Sequence, residues 1–195
     1  MKKWLLSLFS FWIVTAGIAQ AWTKKYDHVD ECICGLSLVG KDNKHGFVDK
    51  NGKVVVPLIY DEALTFSEGY AAVMQNNKWG YIDSTGKTIV ELQYAEAMSF
   101  HDDLAVVSKG GNYGFINKKG EVVIPLEYGS ARGFSEGLAA VMNQKGKWGY
   151  IDNKGKTVIP FKFAFADVFA EGAARVMDGS TMYYIDKSGV KVKDM

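Results

Sequence analysis

The hexapeptide KWGYID occurs twice, letter for letter, at Lys78–Asp83 and at Lys147–Asp152. Alignment of the chain with itself extends this identity to a repeat whose marker glycines lie 34, 34 and 35 residues apart: Gly46, Gly80, Gly114 and Gly149. A second block, of which FSEGYAAVM is one copy, precedes each marker. Short units that repeat in this way bury their apolar faces against one another. The predicted units lie near residues 26–59, 60–93, 94–127, 128–162 and 163–195.

Within each unit the pattern predicts an antiparallel meander of three strands separated by polar turns. In the second unit the first strand covers residues 70–74, the second contains WGYID and the third is the β-branched stretch KTIVE. Side chains alternate across a strand, so Tyr81 and Ile82 lie on opposite faces, and both are apolar. A strand that is apolar on both faces is covered on both faces. Gly80 is expected to let a neighbouring ring lie close to the backbone.

These features predict an all-β fold in which three-stranded antiparallel meanders stack in an open, curved repeat array. Glycine is abundant, with 21 residues, and proline is scarce, with 3, which suits short strands joined by tight turns. The alternative is a small closed β-propeller. Propeller blades usually have four strands, and no strand is left over to close a ring, so the open array is favoured. Residues 22–195 then form a single domain.

Residues 1–21 have the three regions of a secretory signal peptide. Two lysines precede an apolar run from Trp4 to Ala19, which ends in small residues. Cleavage is expected after residue 21 or after residue 19. The run is short for a membrane-spanning helix, and an uncleaved anchor is the alternative, the only case in which membrane contact is expected. In both cases the repeats lie outside the cytoplasm, in the periplasm, at the cell surface or in the medium.

The repeated residues resemble the WG β-repeat family, also called KWG repeats. The resemblance rests on the Trp-Gly pair, the aromatic-Ile-Asp that follows it, the Gly-Lys turn, the Val-Ile-Pro strand end and the Phe-Ser-Glu-Gly-Leu-Ala block. It covers about residues 26–192 in five tandem copies. His45, Tyr113 and Met182 depart from it, because they stand where the family has tryptophan. Members are largely bacterial and often exported, so the resemblance implies binding or scaffolding and carries over no catalytic residues.

Two acidic columns recur at fixed positions of the repeat. The first ends the second strand, and we predict that each member bonds the backbone of its own turn rather than a cation: Asp49, Asp83, Asn117, Asp152 and Asp186. The glycine three residues later, such as Gly86, is expected to adopt a positive φ. The second column is expected to be solvated near lysines, with cation binding or a basic partner as the alternative: Glu68, Asp102, Glu136 and Glu171.

No residues with a catalytic, cofactor-binding or metal-binding pattern stand out. Cys32 and Cys34 are two positions apart, near the outer limit for a disulfide, and with His28 they supply too few ligands for zinc. The three histidines are scattered, with His28 and His45 in the first unit and His101 in the third, and the chain has no phosphate loop or nucleophile triad motif. With 23 basic and 22 acidic residues, bulk charge gives no attraction to nucleic acid. We therefore expect no enzyme and no cofactor.

The sequence favours an exported, non-enzymatic module for protein–protein interaction or scaffolding. The units differ most in the loops YDEALT, YAEAMS, YGSARG and FAFADV, and loops that vary on a fixed spacing can form a specific surface. The residues predicted to contact an unidentified protein partner are Asp61, Glu62, Glu96, Arg132, Phe165 and Asp167. The alternative is binding of a glycan or cell-envelope polymer through exposed aromatic rings. The solvent exposure of Trp79 and Trp148 separates these two hypotheses.

Overall fold

The computed structural model describes residues 21–194, which form five four-stranded antiparallel sheets. The first contains β1 (His28–Ile33), β2 (Leu36–Lys41), β3 (Lys44–Asp49) and β4 (Val54–Tyr60). The second contains β5 (Glu62–Ala63), β6 (Tyr70–Gln75), β7 (Lys78–Asp83) and β8 (Thr88–Tyr94). The third contains β9 (Glu96–Ala97), β10 (Leu104–Lys109), β11 (Asn112–Asn117) and β12 (Val122–Tyr128). The fourth contains β13 (Ser130–Ala131), β14 (Ala139–Met142), β15 (Trp148–Ile151) and β16 (Thr157–Phe163). The fifth contains β17 (Phe165–Ala166), β18 (Ala173–Asp178), β19 (Thr181–Asp186) and β20 (Lys191–Asp194).

Each sheet has one strand more than the three predicted from the sequence. In the second to fifth sheets this extra strand is two residues long and lies in the segment expected to be a loop. In the second sheet it is held to β6 by hydrogen bonds from Asp61 N to Met74 O at 2.8 Å and from Leu64 N to Ala72 O at 2.9 Å. Two residues cannot display an alternating pattern, so this strand has no sequence signal. We call β5, β9, β13 and β17 the inner strands.

The five sheets follow one another as an open array, as predicted. Strands occur in chain order within every sheet, and the sheets are not joined into a closed ring. The strand count equals that of a propeller blade, so the number of strands does not distinguish the two architectures. The predicted signal peptide lies outside the described residues except for Ala21.

The hydrophobic core is divided into four clusters, each lying between two consecutive sheets. Tyr81 packs in the cluster shared with the third sheet, and Ile82 packs in the cluster shared with the first. Their exposed fractions are 0% and 1%, which confirms that the central strand is covered on both faces. Burial of each such side chain stabilises the fold by roughly 1.5–3 kcal/mol.

One ring pair recurs in these clusters and joins neighbouring units at a nearly constant centroid distance. An aromatic side chain from the third strand of one sheet (β3, β7, β11 or β15) packs against the phenylalanine that opens the FSEG-type block of the next unit. The centroids are 4.7–4.9 Å apart in the pairs Phe47–Phe66, Tyr81–Phe100, Phe115–Phe134 and Tyr150–Phe169. Edge-to-face and tilted pairs of this kind add to the stabilisation from buried area.

Gly80 is required by the backbone of its own sheet, and the expectation of a neighbouring ring is wrong. A Cβ atom built on Gly80 would lie 2.4 Å from Val90 O and 2.9 Å from the carbonyl carbon and oxygen of Glu91. β8 has a bulge opposite Gly80, as shown by its register: Trp79 pairs with Tyr94, whereas Tyr81 pairs with Val90. A side chain at this position would therefore collide with main-chain atoms.

The first acidic column bonds its own turn, as predicted. Asp83 Oδ1 accepts hydrogen bonds from the backbone N–H groups of Thr85 at 2.9 Å and Lys87 at 3.1 Å. Asn117 makes the equivalent two bonds without a charge, to Lys119 N and Glu121 N. The prediction for the turn glycine is also confirmed, because Gly86 has a φ of 84°.

The second acidic column is exposed, with Glu68 and Glu136 paired to lysines as expected, and it also links consecutive units. Glu68 accepts a hydrogen bond from Asp103 N at 3.1 Å, and Asp102 accepts one from Gly137 N at 3.0 Å. Glu136 continues the series by accepting from Gly172 N at 3.2 Å. Each carboxylate thus binds the backbone of the corresponding turn in the next unit. We call this series the carboxylate ladder.

Candidate functional site: the inner groove

A concave groove crosses the inner strands and receives residues from four units. It consists of two adjoining pockets of about 430 and 420 Å³, which share Met98, Gly133 and Val168. We call this surface the inner groove and define it by its main lining residues: Leu64, Met98, Arg132, Gly133, Asp167 and Val168. Because units two to five all contribute to one groove, the array curves with its inner strands on the concave side.

The groove residues come from two equivalent positions of the repeat, immediately after the inner strand. The first position is occupied by Leu64, Met98, Arg132 and Asp167. The second is occupied by Ser99, Gly133 and Val168, and in the second unit by Thr65, which does not line the groove. The spacing is fixed by the repeat, whereas the side chains range from apolar to cationic to anionic. The chemistry of the groove therefore changes from one unit to the next.

Gly133 creates the space at the centre of the groove. A Cβ atom built there would meet only His101 Cδ2, at 3.5 Å, which is an ordinary contact. Its φ lies outside the left-handed region, so a larger residue is compatible with the backbone. The absence of a side chain leaves open the volume that a threonine, serine or valine fills in the other units.

Buried groups from the preceding unit hold the backbone of the groove. Tyr81 Oη donates a hydrogen bond to Met98 O at 2.7 Å, and Tyr150 Oη donates one to Asp167 O at 2.8 Å. Burial raises the pKa of both phenols well above the ordinary value, so both remain protonated donors. Arg132 Nε adds a third bond, to Ala166 O at 2.8 Å. The groove is therefore built on fixed carbonyl positions.

The Arg132 guanidinium is the charged centre of the groove. Its central carbon lies 5.4 Å from the centroid of the Trp148 ring and 5.1 Å from that of Phe165. Such stacking favours a cation and fixes the plane of the guanidinium. No carboxylate among the described residues lies within ion-pair distance of it. Asp167 instead pairs with Arg175, Oδ2 to Nη2, at 3.1 Å.

Three of the six residues predicted to contact a partner lie together in or beside the groove: Arg132, Phe165 and Asp167. The other three do not line it. Asp61 accepts from Asn76 N at 2.8 Å and pairs with Lys44, which lowers the pKa of its carboxyl. Glu96 accepts from Tyr113 Oη at 2.7 Å, and Glu62 is exposed on β5.

Sequence reasoning missed Met98, Gly133 and Val168. Met98 and Val168 are 38% and 39% exposed, so each presents apolar surface at the groove. The available signal was the substitution of glycine for threonine, serine or valine at one repeat position. That signal becomes informative only when the neighbouring units are known to meet at the groove.

The aromatic side chains do not form an exposed platform. Trp79 and Trp148 are both half-buried and pack against the clusters between sheets. Across residues 21–192 every phenylalanine, tyrosine and tryptophan is buried or half-buried. Glycan binding through aromatic stacking needs coplanar rings in solvent, so this observation weighs against that alternative.

The described histidine, cysteine and acidic residues do not cluster into a metal site. Within residues 21–194 no cluster of three or more histidine, cysteine, aspartate or glutamate residues is placed to hold a metal ion. Cys32 and Cys34 are exposed free thiols. The same part of the chain has no helix both long and apolar enough to cross a membrane.

Solved structures with a similar fold share little sequence with this chain. The chain matches a eukaryotic initiation factor with a TM-score of 0.59 at 12% identity, over 87% of this chain and 54% of the other. It matches Hsv2 from Kluyveromyces lactis with a TM-score of 0.55 at 13% identity, over 83% and 60%. The computationally designed Ika8 protein gives a TM-score of 0.50 at 12% identity, over 86% and 57%. These likenesses are of fold, and the chain spans 54–60% of the three proteins' lengths.

Comparison with curated proteins gives no sequence match. The family model described as "WG containing repeat" matches four consecutive segments, residues 46–79, 79–113, 113–148 and 148–180. Its segments begin at the Trp-Gly position, and together they cover more than half of the chain. The first and fifth sheets extend the same strand pattern beyond the matched range. The chain belongs to the WG-repeat family.

Proposed function

We propose that this protein is an exported, non-enzymatic module that binds a protein partner in the inner groove. The observation that carries the proposal is the series Leu64, Met98, Arg132 and Asp167, four different side chains at one repeat position that meet at a single groove. Repeat arrays form specific binding surfaces by varying residues on a constant scaffold. The pocket volumes, about 430 and 420 Å³, fall in the range of ligand sites.

The structural roles of the repeated residues support a binding function rather than catalysis. The apolar residues of the strands pack between units, the first acidic column bonds its turns, and the carboxylate ladder links neighbouring units. WG repeats and all-β repeat folds are typical of non-enzymatic modules. What remains for function is the set of variable residues on the concave side.

Export is the second part of the proposal and is supported by the sequence of residues 1–21. We expect secretion with removal of the first 19 or 21 residues. Intact-mass measurement of protein recovered from outside the cytoplasm tests this directly. A mature N-terminus at Met1 would show that the segment is retained.

The binding role is tested by comparing two variants at equivalent repeat positions. Gly133→Val places a side chain in the centre of the groove, whereas Thr65→Val exchanges a hydroxyl for a methyl group at the equivalent position of the second unit, which does not line the groove. The melting temperature of each variant is first compared with that of the wild type. Each purified protein, residues 22–195, is then used to capture proteins from the extracytoplasmic fraction. We expect the wild type and Thr65→Val to retain the same partner and Gly133→Val to lose it.

Two outcomes would contradict the proposed function. If all three proteins retain the same partners, the inner groove is not the binding surface. If the purified wild type turns over a peptide or glycan substrate, the protein is an enzyme and the non-enzymatic assignment is wrong.

A further inference from the structure

We propose that the inner groove recognises an extended acidic peptide segment, with a ligand carboxylate on Arg132 and an adjacent apolar side chain against Met98 and Val168. This inference rests on the proposed function and specifies the chemistry of the partner. It follows from the free hydrogen-bonding capacity of one arginine, the net charge around it, the exposed apolar residues beside it and the sheet edges that form the groove.

Arg132 is prepared to bind an anion. Its Nε donates a hydrogen bond to Ala166 O, and the described residues provide no hydrogen-bond acceptor for its two Nη groups. Trp148 and Phe165 flank the guanidinium and limit its rotation. A planar guanidinium held in this way matches the two oxygens of a carboxylate, and little side-chain freedom is lost on binding.

The surrounding charges favour a single negative charge on the ligand. Arg132 and Arg175 both lie over the Phe165 ring, with their central carbons 5.1 and 5.5 Å from its centroid. Asp167 neutralises Arg175 through the ion pair at 3.1 Å. The cluster therefore has one net positive charge. A carboxylate complements it fully, whereas a dianionic phosphate would leave an excess negative charge next to Asp167.

Apolar residues border the cation on the open side of the groove. Met98 and Val168 line both pockets and are 38% and 39% exposed. Leu64 also lines the first pocket. A methionine adapts to side chains of different shape. A ligand that places an apolar side chain one or two residues from its carboxylate would bury these surfaces.

An extended peptide fits the groove better than a small organic acid. The inner strands form one edge of the second to fifth sheets, where the main-chain groups have no strand partner on one side. Met98 O, Ala166 O and Asp167 O already accept side-chain hydrogen bonds, so a peptide would pair with the remaining edge groups. Such edges bind extended peptides through main-chain hydrogen bonds. The two adjoining pockets, which share Gly133, provide places for successive side chains of such a segment.

The test starts with a phage-displayed library of random peptides selected on residues 22–195. Selected peptides are synthesised with their Asp or Glu residues intact, changed to Asn or Gln, or replaced by phosphoserine, and their affinities are measured by fluorescence anisotropy. We expect an acidic residue next to an apolar one in the selected peptides. The amide change should weaken binding by about tenfold or more, as expected for a charge-assisted pair.

The protein side of the test uses Arg132→Gln, with Gly133→Val and Thr65→Val as before. Arg132→Gln should weaken binding of the acidic peptide by a similar factor and leave binding of the amide peptide unchanged, because the protein change and the peptide change remove the same ion pair. Thr65→Val should bind as the wild type does. Arg132→Gln also removes the bond to Ala166 O, so its melting temperature is measured. The amide change in the peptide leaves the protein intact and keeps the test valid if this variant is unstable.

The outcomes separate this inference from the proposed function. Equal binding of acidic and amide peptides, tighter binding of the phosphoserine peptide, or no enriched peptide at all would overturn the carboxylate inference. Each of these results leaves the capture experiment with Gly133→Val to decide whether the groove binds a protein. Equal binding of acidic peptides to wild type and Gly133→Val would place the site elsewhere and overturn both.

Discussion

Replacement of Gly80 by alanine should destabilise the array strongly, because the new methyl group meets main-chain atoms. The nearest atom, Val90 O, would be 2.4 Å away, and it would have to move by about 0.6 Å to reach even a tight contact of 3.0 Å. Overpacking of this kind costs about 1–3 kcal/mol. Displacement of the bulged strand also weakens its pairing to β7, and each lost backbone hydrogen bond costs about 1 kcal/mol. We expect a total loss of about 3 kcal/mol.

Thermal unfolding followed by circular dichroism measures this effect, with Gly133→Ala as the matched control. For a domain of this size, about 3 kcal/mol corresponds to a decrease in Tm of about 6–12 °C. At Gly133 the new carbon makes only a 3.5 Å contact and the backbone tolerates alanine, so Tm should be unchanged or slightly higher. The steric argument fails if Gly80→Ala melts within about 2 °C of the wild type, or if both variants lose stability equally.

Three further predictions concern the turns, the links between units and pH. Gly86→Val should lower stability by about 1 kcal/mol or more, since φ is 84° there, and an unchanged Tm would contradict the turn assignment. Tyr81→Phe should cost about 1 kcal/mol in urea unfolding by removing the hydrogen bond to the groove backbone; no loss would show that this bond is energetically unimportant. Hydrogen bonds from neighbouring hydroxyl, ammonium and backbone N–H groups hold the pKa of Asp83 and Glu136 below their usual values. The stabilisation from these carboxylates should therefore be complete at neutral pH. It should be lost as the pH falls below about 4 and then through the lower pKa values of the folded state. A constant Tm between about pH 7 and pH 2 would refute this.

The features that could be predicted from the sequence depend on neighbouring residues. The two faces of β7 follow from the alternation of Tyr81 and Ile82, and the turn follows from Asp83 and Gly86, which are three residues apart. Turn hydrogen bonds and strand alternation are local, so a repeat displays them in every copy. The inner strand β5 could not be predicted, because its two residues become a strand only by pairing with β6.

The candidate site depended on contacts between units. Variation among the loops identified Arg132, Phe165 and Asp167, but it also selected Asp61 and Glu96, whose carboxylates are engaged by neighbouring groups. The carboxylate ladder was missed for a related reason. Its hydrogen bonds join residues 35 or 36 positions apart, and no pattern within one unit indicates them.

By itself, the sequence determined the repeating unit, the residues that face inward and the turns that join the strands, because side-chain alternation and turn chemistry act over a few residues. The tertiary structure decided how the units are oriented to one another and therefore which variable side chains meet. The ring pair Tyr81–Phe100 and its equivalents set that orientation through the packing of consecutive sheets. Met98, Gly133 and Val168 line one groove because this packing brings three different units together on the concave side.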